Sequence, residues 1–376
     1  MSIAAEPARP LTASHGQLAD NPAQIPPKGW RDVIFRVVHE VMDDRAMLIA
    51  AGATYYMLIA LVPGLSLFVT LYGLFNDPSD VSHQVSLLAG VLPQGGLDIL
   101  NDQLTRLTAT GKPTLGLTLV ISLAVALWSA NAGVQSLFDA MNIAYDEEEK
   151  RNFFVRTGLG FLFTLAFAIA AILFLAVIVI VPVVLKVLYL GTGFEWLLRI
   201  ISYLLMLVLL LLGIAALYRW GPSRHDAKWR WITPGAALAG IGIAIVSVAF
   251  SWYAANFSNY NATYGSLGAL IGFLTWMWLS ATIVIVGAEL DSELEHQTAR
   301  DSTTGPDQPI GTRGAYMADH VAHVGSGAAA DGKSAPASRE PVDRGAPAER
   351  SDVLVGLGLM ALLLLASGKA GETRRR

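Results

Sequence analysis

The chain has 376 residues, 53% of them apolar, 15% charged and none cysteine, with a formal net charge of −4 and a mean hydropathy of +0.49. Soluble domains carry about 25% charged residues, so a wholly water-soluble enzyme is excluded, and the missing cysteines exclude disulfides, thiolate metal sites and cysteine nucleophiles. The acidic balance also gives no clustered basic face for nucleic acid.

Residues 1–29 are polar and Pro-rich and are expected to be a disordered N-terminal arm. No basic start leads into an apolar core, so the first membrane helix serves as its own insertion signal. In 30–45, Ile34, Val37, Val38 and Val41 recur at i, i+3, i+4 and i+7. This predicts an amphipathic cytoplasmic helix lying on the membrane, the alternative being a solvated arm with accidental periodicity.

About 20 apolar residues in a helix cross the roughly 30 Å hydrocarbon layer. Uncharged stretches place spans near 46–75, 114–138, 157–185 and 200–218. Residues 231–288 then run for 58 positions without a charge, which as one helix would be about 87 Å long. The polar string NFSNYNATY at 256–264 supplies a turn, leaving spans near 231–255 and 265–289. The fold class is therefore an all-α integral membrane protein. Its expected form is a six-helix transmembrane bundle, with amphipathic surface helices and a disordered C-terminal tail.

Between the first two spans, 77–113 carries two apolar repeats, Val81, Val85, Leu88, Leu92 and Leu97, Leu100, Leu104, Leu107, separated by Pro93 to Gly96. They predict an external helical loop over the bundle mouth, for packing or for gating. Segments 1–45, 139–156 and 219–230 hold 12 Lys/Arg, against 4 on the opposite side, which places both ends of the core in the cytoplasm. Residues 291–352, with 6 basic and 11 acidic side chains among Gly, Ala, Ser and Pro, are expected to be a disordered acidic tail. The last apolar run, 353–368, is 16 residues long and would reach about 24 Å as a helix. It is either an interfacial anchor or a thin seventh span.

No catalytic constellation emerges. The seven histidines lie mostly in arms, loops and the tail, only His320 and His323 are close, and no phosphate-cradling Gly-Lys-Ser/Thr loop occurs. No metal ligand, cofactor or enzymatic activity is expected. Polar groups inside the spans are the candidates, because burying them costs several kcal/mol unless they are paired or face a cavity. Tyr55 and Tyr56 precede Pro63, whose missing N–H should kink the first span. Trp128, Asn131, Gln135 and Asp139 step down one face of the second, as interhelical glue or as a lined path.

The substrate-path candidates are thus Tyr55, Tyr56, Pro63, Asn131, Gln135 and Tyr264. A cytoplasmic charge cluster comprises Asp139, Arg151, Arg156, Arg219 and Glu289, in which Glu289 either pairs with Arg151, Arg156 or Arg219 or has a substrate or proton role. Gly265, Gly268 and Gly272 suit close helix packing. The expected partners are membrane lipid, a second copy of the chain through the Gly-rich last span, and a cytoplasmic protein on the tail.

Several stretches together resemble the YihY/BrkB family of bacterial inner-membrane proteins. They are AAGATYYMLIALVPGLSLFVTLYGLF at 50–75, WSANAGVQSLFDAMNIAYDEEEKRNF at 128–153, LYRWGPS at 217–223, WITPGAALAG at 231–240 and SWYAANFSNYNATYGSLGALIGFLTWMWLSATIVIVGAEL at 251–290. The resemblance runs from about Trp30 to Glu295 and implies a six-helix membrane protein with cytoplasmic termini. It leaves the tail outside. Members sometimes carry a ribonuclease BN label, which finds no metal constellation or basic groove in these residues. The expectation is a secondary transporter or translocator of an amphipathic, lipidic or anionic solute, with a non-catalytic membrane scaffold as the alternative.

Overall fold

A computed structural model describes residues 11–75, 112–188, 192–256 and 266–322. Among these residues there is no strand, only a single bridge between Ala227 and Thr303. The helices are α1 (Pro27–Asp43), α2 (Ala46–Phe75), α3 (Lys112–Ala144), α4 (Phe153–Leu188), α5 (Thr192–Trp220), α6 (Trp229–Asn256), α7 (Ser266–His296) and the single turn α8 (Tyr316–Asp319). Four described stretches are long and apolar enough to cross a membrane: Phe153–Phe174, Trp196–Trp220, Trp229–Tyr253 and Leu270–His296.

Helices α2 to α7 close a ring in chain order, α7 returning against α2, and the α4–α5 seam is the least intimate of its contacts. Without water between helices, apolar side chains gain nothing by leaving lipid, so small residues that let backbones approach decide where helices lock. Those residues sit at one end. Ala46, Ala50 and Ala53 of α2, Ala140 and Ala144 of α3, Ala215 of α5, Ala236 and Ala239 of α6 and Ala288 of α7 are all buried there. A Cβ on Gly235 would collide with the Gly287 carbonyl and the Asp291 carboxylate, and one on Gly160 would strike Asn131.

Burial stops partway along each helix. Among the described side chains none is buried beyond Thr54 in α2, Thr164 in α4 or Gly240 in α6, and none before Ala126 in α3, Ile214 in α5 or Ala281 in α7. Beyond those levels stand bulky residues such as Leu165, Ile169, Ile200, Leu204, Ile245 and Val248, all exposed. Among the described residues, burial is confined to one end of the bundle.

A folded cap closes the packed end, and it corrects two expectations. The arm at 1–29 is not disordered throughout: residues 11–26 form two 3-10 turns, Ala13–His15 and Pro22–Gln24, and strap the end of α7. Gln297 donates to the His15 carbonyl (2.7 Å), Thr298 to that of Ala19 (2.7 Å), and Ala299 N–H to that of Gln17 (2.9 Å). Nor is 291–352 disordered from its start. α7 continues to His296, and 297–322 fold back around buried Asp301, Ser302, Thr303 and Arg313. There the Asp319 carboxylate accepts three backbone N–H groups, from Gly311, Arg313 and Gly314. Polar composition implied disorder, but side chain-to-backbone bonds replace the apolar core such a segment lacks.

Helix α1 buries Val33 and Val37 against Trp231, Leu290 and Leu294, with Val41 packed beside them, and leaves Ile34 and Val38 exposed. The external loop at 77–111 and the apolar run at 353–368 lie outside the described residues.

Gly235→Ala should cost about 1–3 kcal/mol by overpacking the α6–α7 crossing, read as a lower unfolding midpoint of the detergent-solubilised protein. Gly158→Ala, where nothing lies within 4 Å of an added Cβ, should leave the midpoint unchanged or slightly raised.

Candidate functional site

Of the expected path residues, the structure describes the surroundings of Tyr55, Tyr56, Asn131 and Gln135. Tyr55 and Tyr56 are exposed, their rings edge to face at 5.9 Å, one and two residues past the last buried position of α2. Asn131 is buried where α3 meets α4 at Gly160, and Gln135 packs at the same crossing. Trp128 is exposed. Helix α2 is continuous through Pro63 and α7 through Gly268, but their surroundings, like Tyr264 and Gly265, lie outside the described residues. Gly272 meets the Phe250 ring, with 3.2 Å from an added Cβ, so it packs α7 on α6.

The charge cluster resolves into separate pairs. Arg151 grips both oxygens of Glu149 (2.7 Å each), donates to the Trp220 and Gly221 carbonyls (3.1 and 2.7 Å), and lies 5.3 Å from the Phe138 ring centroid. It thereby satisfies carbonyls left open at the end of α5. Burial alone would raise the Glu149 carboxyl, but the Arg151 side-chain and backbone bonds and Asn142 outweigh it and hold it at about 2. Arg156 pairs with Asp139 (2.8 and 2.9 Å). Arg219 donates to the Ala227 carbonyl (2.5 Å) and lies 4.7 Å from the Trp229 ring centroid. None of these arginines neutralises Glu289, which is 1% exposed and whose Oε1 has no hydrogen-bond partner. Of the two alternatives for Glu289, pairing with Arg151, Arg156 or Arg219 gives way to local pairs of those arginines. Each arginine meets a carboxylate or carbonyl nearer in the chain before it reaches α7.

The density of buried charge around Glu289 escaped the sequence reading. Glu289, Asp291, Glu293 and Glu295 are all buried along the end of α7. Glu293 takes Arg36 of α1. Glu295 takes Arg224 in a bidentate pair (2.8 and 2.9 Å) that is fully buried. Burial alone would lower the Arg224 guanidinium, but Glu295 and Tyr145 raise it above its ordinary value. Asp291 accepts the Gly235 N–H (2.6 Å) through one oxygen and has no partner on the other. The Tyr145 ring stacks 4.0 Å from the Arg224 guanidinium carbon, and burial, then the Asp291 charge, pushes its hydroxyl well above the usual range. The available signal was the alternation Glu-Leu-Asp-Ser-Glu-Leu-Glu at 289–295, with Leu290 and Leu294 one turn apart. Carboxylates then surround an apolar stripe, so burying that stripe draws them into the protein.

Beside this network a cleft of about 390 Å³ opens between the loops that follow α3 and α5, lined by Lys150, Arg151, Trp220, Ser223, His225 and Asp226 among others. Lys150 already pairs with Glu147 (2.9 Å) and Arg151 with Glu149, so little uncompensated charge is left for a ligand. Among the described residues no three His, Asp or Glu side chains are grouped to hold a metal ion.

The model of the virulence factor BrkB family matches residues 37–311. The ribonuclease-like protein YfkH of Bacillus subtilis is 29% identical over 65% of this chain and 88% of its own length. UPF0761 membrane proteins of Xanthomonas campestris pv. campestris and Xanthomonas axonopodis pv. citri are 28% identical over 67% of this chain. The match spans 58% of the length of those Xanthomonas relatives. No solved structure matches the chain.

Removing one partner of a buried pair strands the other charge. Arg224→Met should cost about 3–5 kcal/mol, measured as thermal destabilisation in detergent, and Arg224→Met with Glu295→Leu should recover much of the loss. The Glu149 carboxyl is held below its ordinary value of 4.5, so its stabilisation is complete above pH 4.5 and lost as pH falls towards about 2. Arg151→Ala should flatten that part of the acid-unfolding profile.

Proposed function

We propose that this chain, which belongs to the virulence factor BrkB family, is a six-helix translocator of the bacterial inner membrane. In this reading it has no enzymatic activity, its cap lies in the cytoplasm, and it moves an amphipathic, lipid-like or anionic solute. The observation that carries the proposal is the change in packing along the helices: a locked end at the cap and a loose, apolar remainder in which no described side chain is buried. A rigid floor beneath a loosely joined ring suits a solute that enters from the lipid, and the α4–α5 seam has the least helix contact to open. Tyr55 and Tyr56, exposed just above the floor, offer hydroxyls at the level where a polar headgroup would stop. Energy would come from a gradient or from partner proteins.

A second reading, a membrane scaffold, draws on the outward apolar face of α1, where Ile34, Phe35, Val38 and Met42 are exposed. Ile34→Asn with Val38→Asn distinguishes the two, since a scaffold using this face loses its associations while a translocator keeps its activity. The ribonuclease-like name belongs to the Bacillus relative, and purified chain is expected to cleave no RNA with or without chelator.

The direct test is reconstitution into liposomes holding a fluorescent anionic phospholipid in the inner leaflet. The expected result is transfer faster than in protein-free vesicles, reduced severalfold by Tyr55→Ala with Tyr56→Ala at unchanged thermal stability. Transfer equal to that of empty vesicles defeats the proposal. Because the chain has no cysteine, a single His225→Cys replacement reports orientation, and an impermeant thiol reagent should reach it only from the cytoplasmic face.

A further inference from the structure

We propose that Glu289 is a proton-binding site at the floor of the helix ring. It extends the translocation reading by naming a coupling ion, but it rests on local geometry that stands without that reading. Glu289 lies where α7 passes the junction of α1 and α2, 1% exposed, with Oε1 unpartnered. Four acidic groups act on it: Glu40 of α1, Asp44 between α1 and α2, Asp146 after α3, and Glu293 one turn along α7.

Arg45, next to Asp44, is exposed, and the buried and partly buried arginines nearby are committed elsewhere. Arg36 is held by Glu293, Arg224 by Glu295, Arg151 by Glu149, Arg156 by Asp139, and Arg219 by the Ala227 carbonyl and Asp226. A buried carboxylate oxygen without a cation or donor loses its hydration and gains nothing in return, which favours the neutral, protonated group. Uptake forms one O–H bond at the carboxyl from a proton delivered by water at the capped face. Release returns that proton to water, and no electron moves. The neighbouring acids make the ionised form depend on how closely α1 and the post-α3 loop approach. Repacking of the floor therefore changes proton occupancy, and occupancy in turn favours one packing over another.

Asp291, two residues on, is also fully buried with one oxygen unpartnered, but its other oxygen accepts the Gly235 N–H, so the two carboxyls must be told apart.

The test is infrared difference spectroscopy on the full chain in liposomes at neutral pH. Wild type minus Glu289→Gln should contain the carbonyl stretch of a protonated carboxyl group that shifts down in D2O, and that stretch should survive in Asp291→Asn. A difference confined to ionised-carboxylate bands overturns the proposal. Should Glu289→Gln fail to fold, wild type made with carboxyl-13C glutamate serves instead. A labelled protonated carboxyl at neutral pH supports the site and its absence overturns it. Lipid transfer that fails while the protonated band is present defeats the translocator alone. Transfer that proceeds while the band is missing defeats the proton site alone.

Discussion

Gly235 and Gly287 place the backbones of α6 and α7 so close that no side chain fits between them, and the rest of the packed end depends on that crossing. Pro234 lies inside α6 and disrupts the regular ladder of its first turns. The Gly235 N–H turns instead to the Asp291 carboxylate. Tyr218 of α5 reaches the same place and donates to the Val284 carbonyl at 2.5 Å. Three helices are thus tied through groups that only a glycine crossing brings within reach, and in lipid such contacts are the available source of specificity.

Bringing α7 this deep carries its terminal carboxylates into the protein, and the cap follows from that burden. Arg36 on α1, Arg224 on the post-α5 loop and the backbone of the N-terminal strap each answer a group at the end of α7. Buried pairs of this kind add little net stability over apolar packing, but a mismatched partner is costly. They therefore fix which segments assemble on α7 rather than how strongly. Of the four carboxylates, Glu289 and Asp291 each keep one oxygen without a partner.

Contrast between the two ends of the ring organises the functional reading. Small residues and matched polar groups make the capped end a rigid unit. The remainder presents Leu, Ile and Val to its surroundings, with no backbone-to-backbone crossing among the described residues comparable to that at Gly235. An element that is stiff at one end and weakly joined along the other can change shape while its packed end stays intact. A protein that admits a bulky amphipathic solute requires that property.

Long apolar runs, the lysine and arginine asymmetry and the turn string at 256–264 made the helical elements legible in one dimension, because a helix crossing lipid satisfies its backbone internally and depends little on its neighbours. α2 starts and stops at the residues that its uncharged run marks, Ala46 and Phe75. The polar candidates were recognisable by type, since a buried Asn131 or Glu289 stands out in an apolar stretch. Their partners were not, because Arg151 to the Gly221 carbonyl, Arg224 to Glu295 and Gln297 to the His15 carbonyl join positions 70, 71 and 282 residues apart. The cap at 11–26 and 297–322 was invisible for the same reason: its polar composition matches disorder, and its order comes from hydrogen bonds to distant backbone. Local chemistry set where helices form and which groups need satisfying, while the choice of partner depended on which backbones small residues let come together.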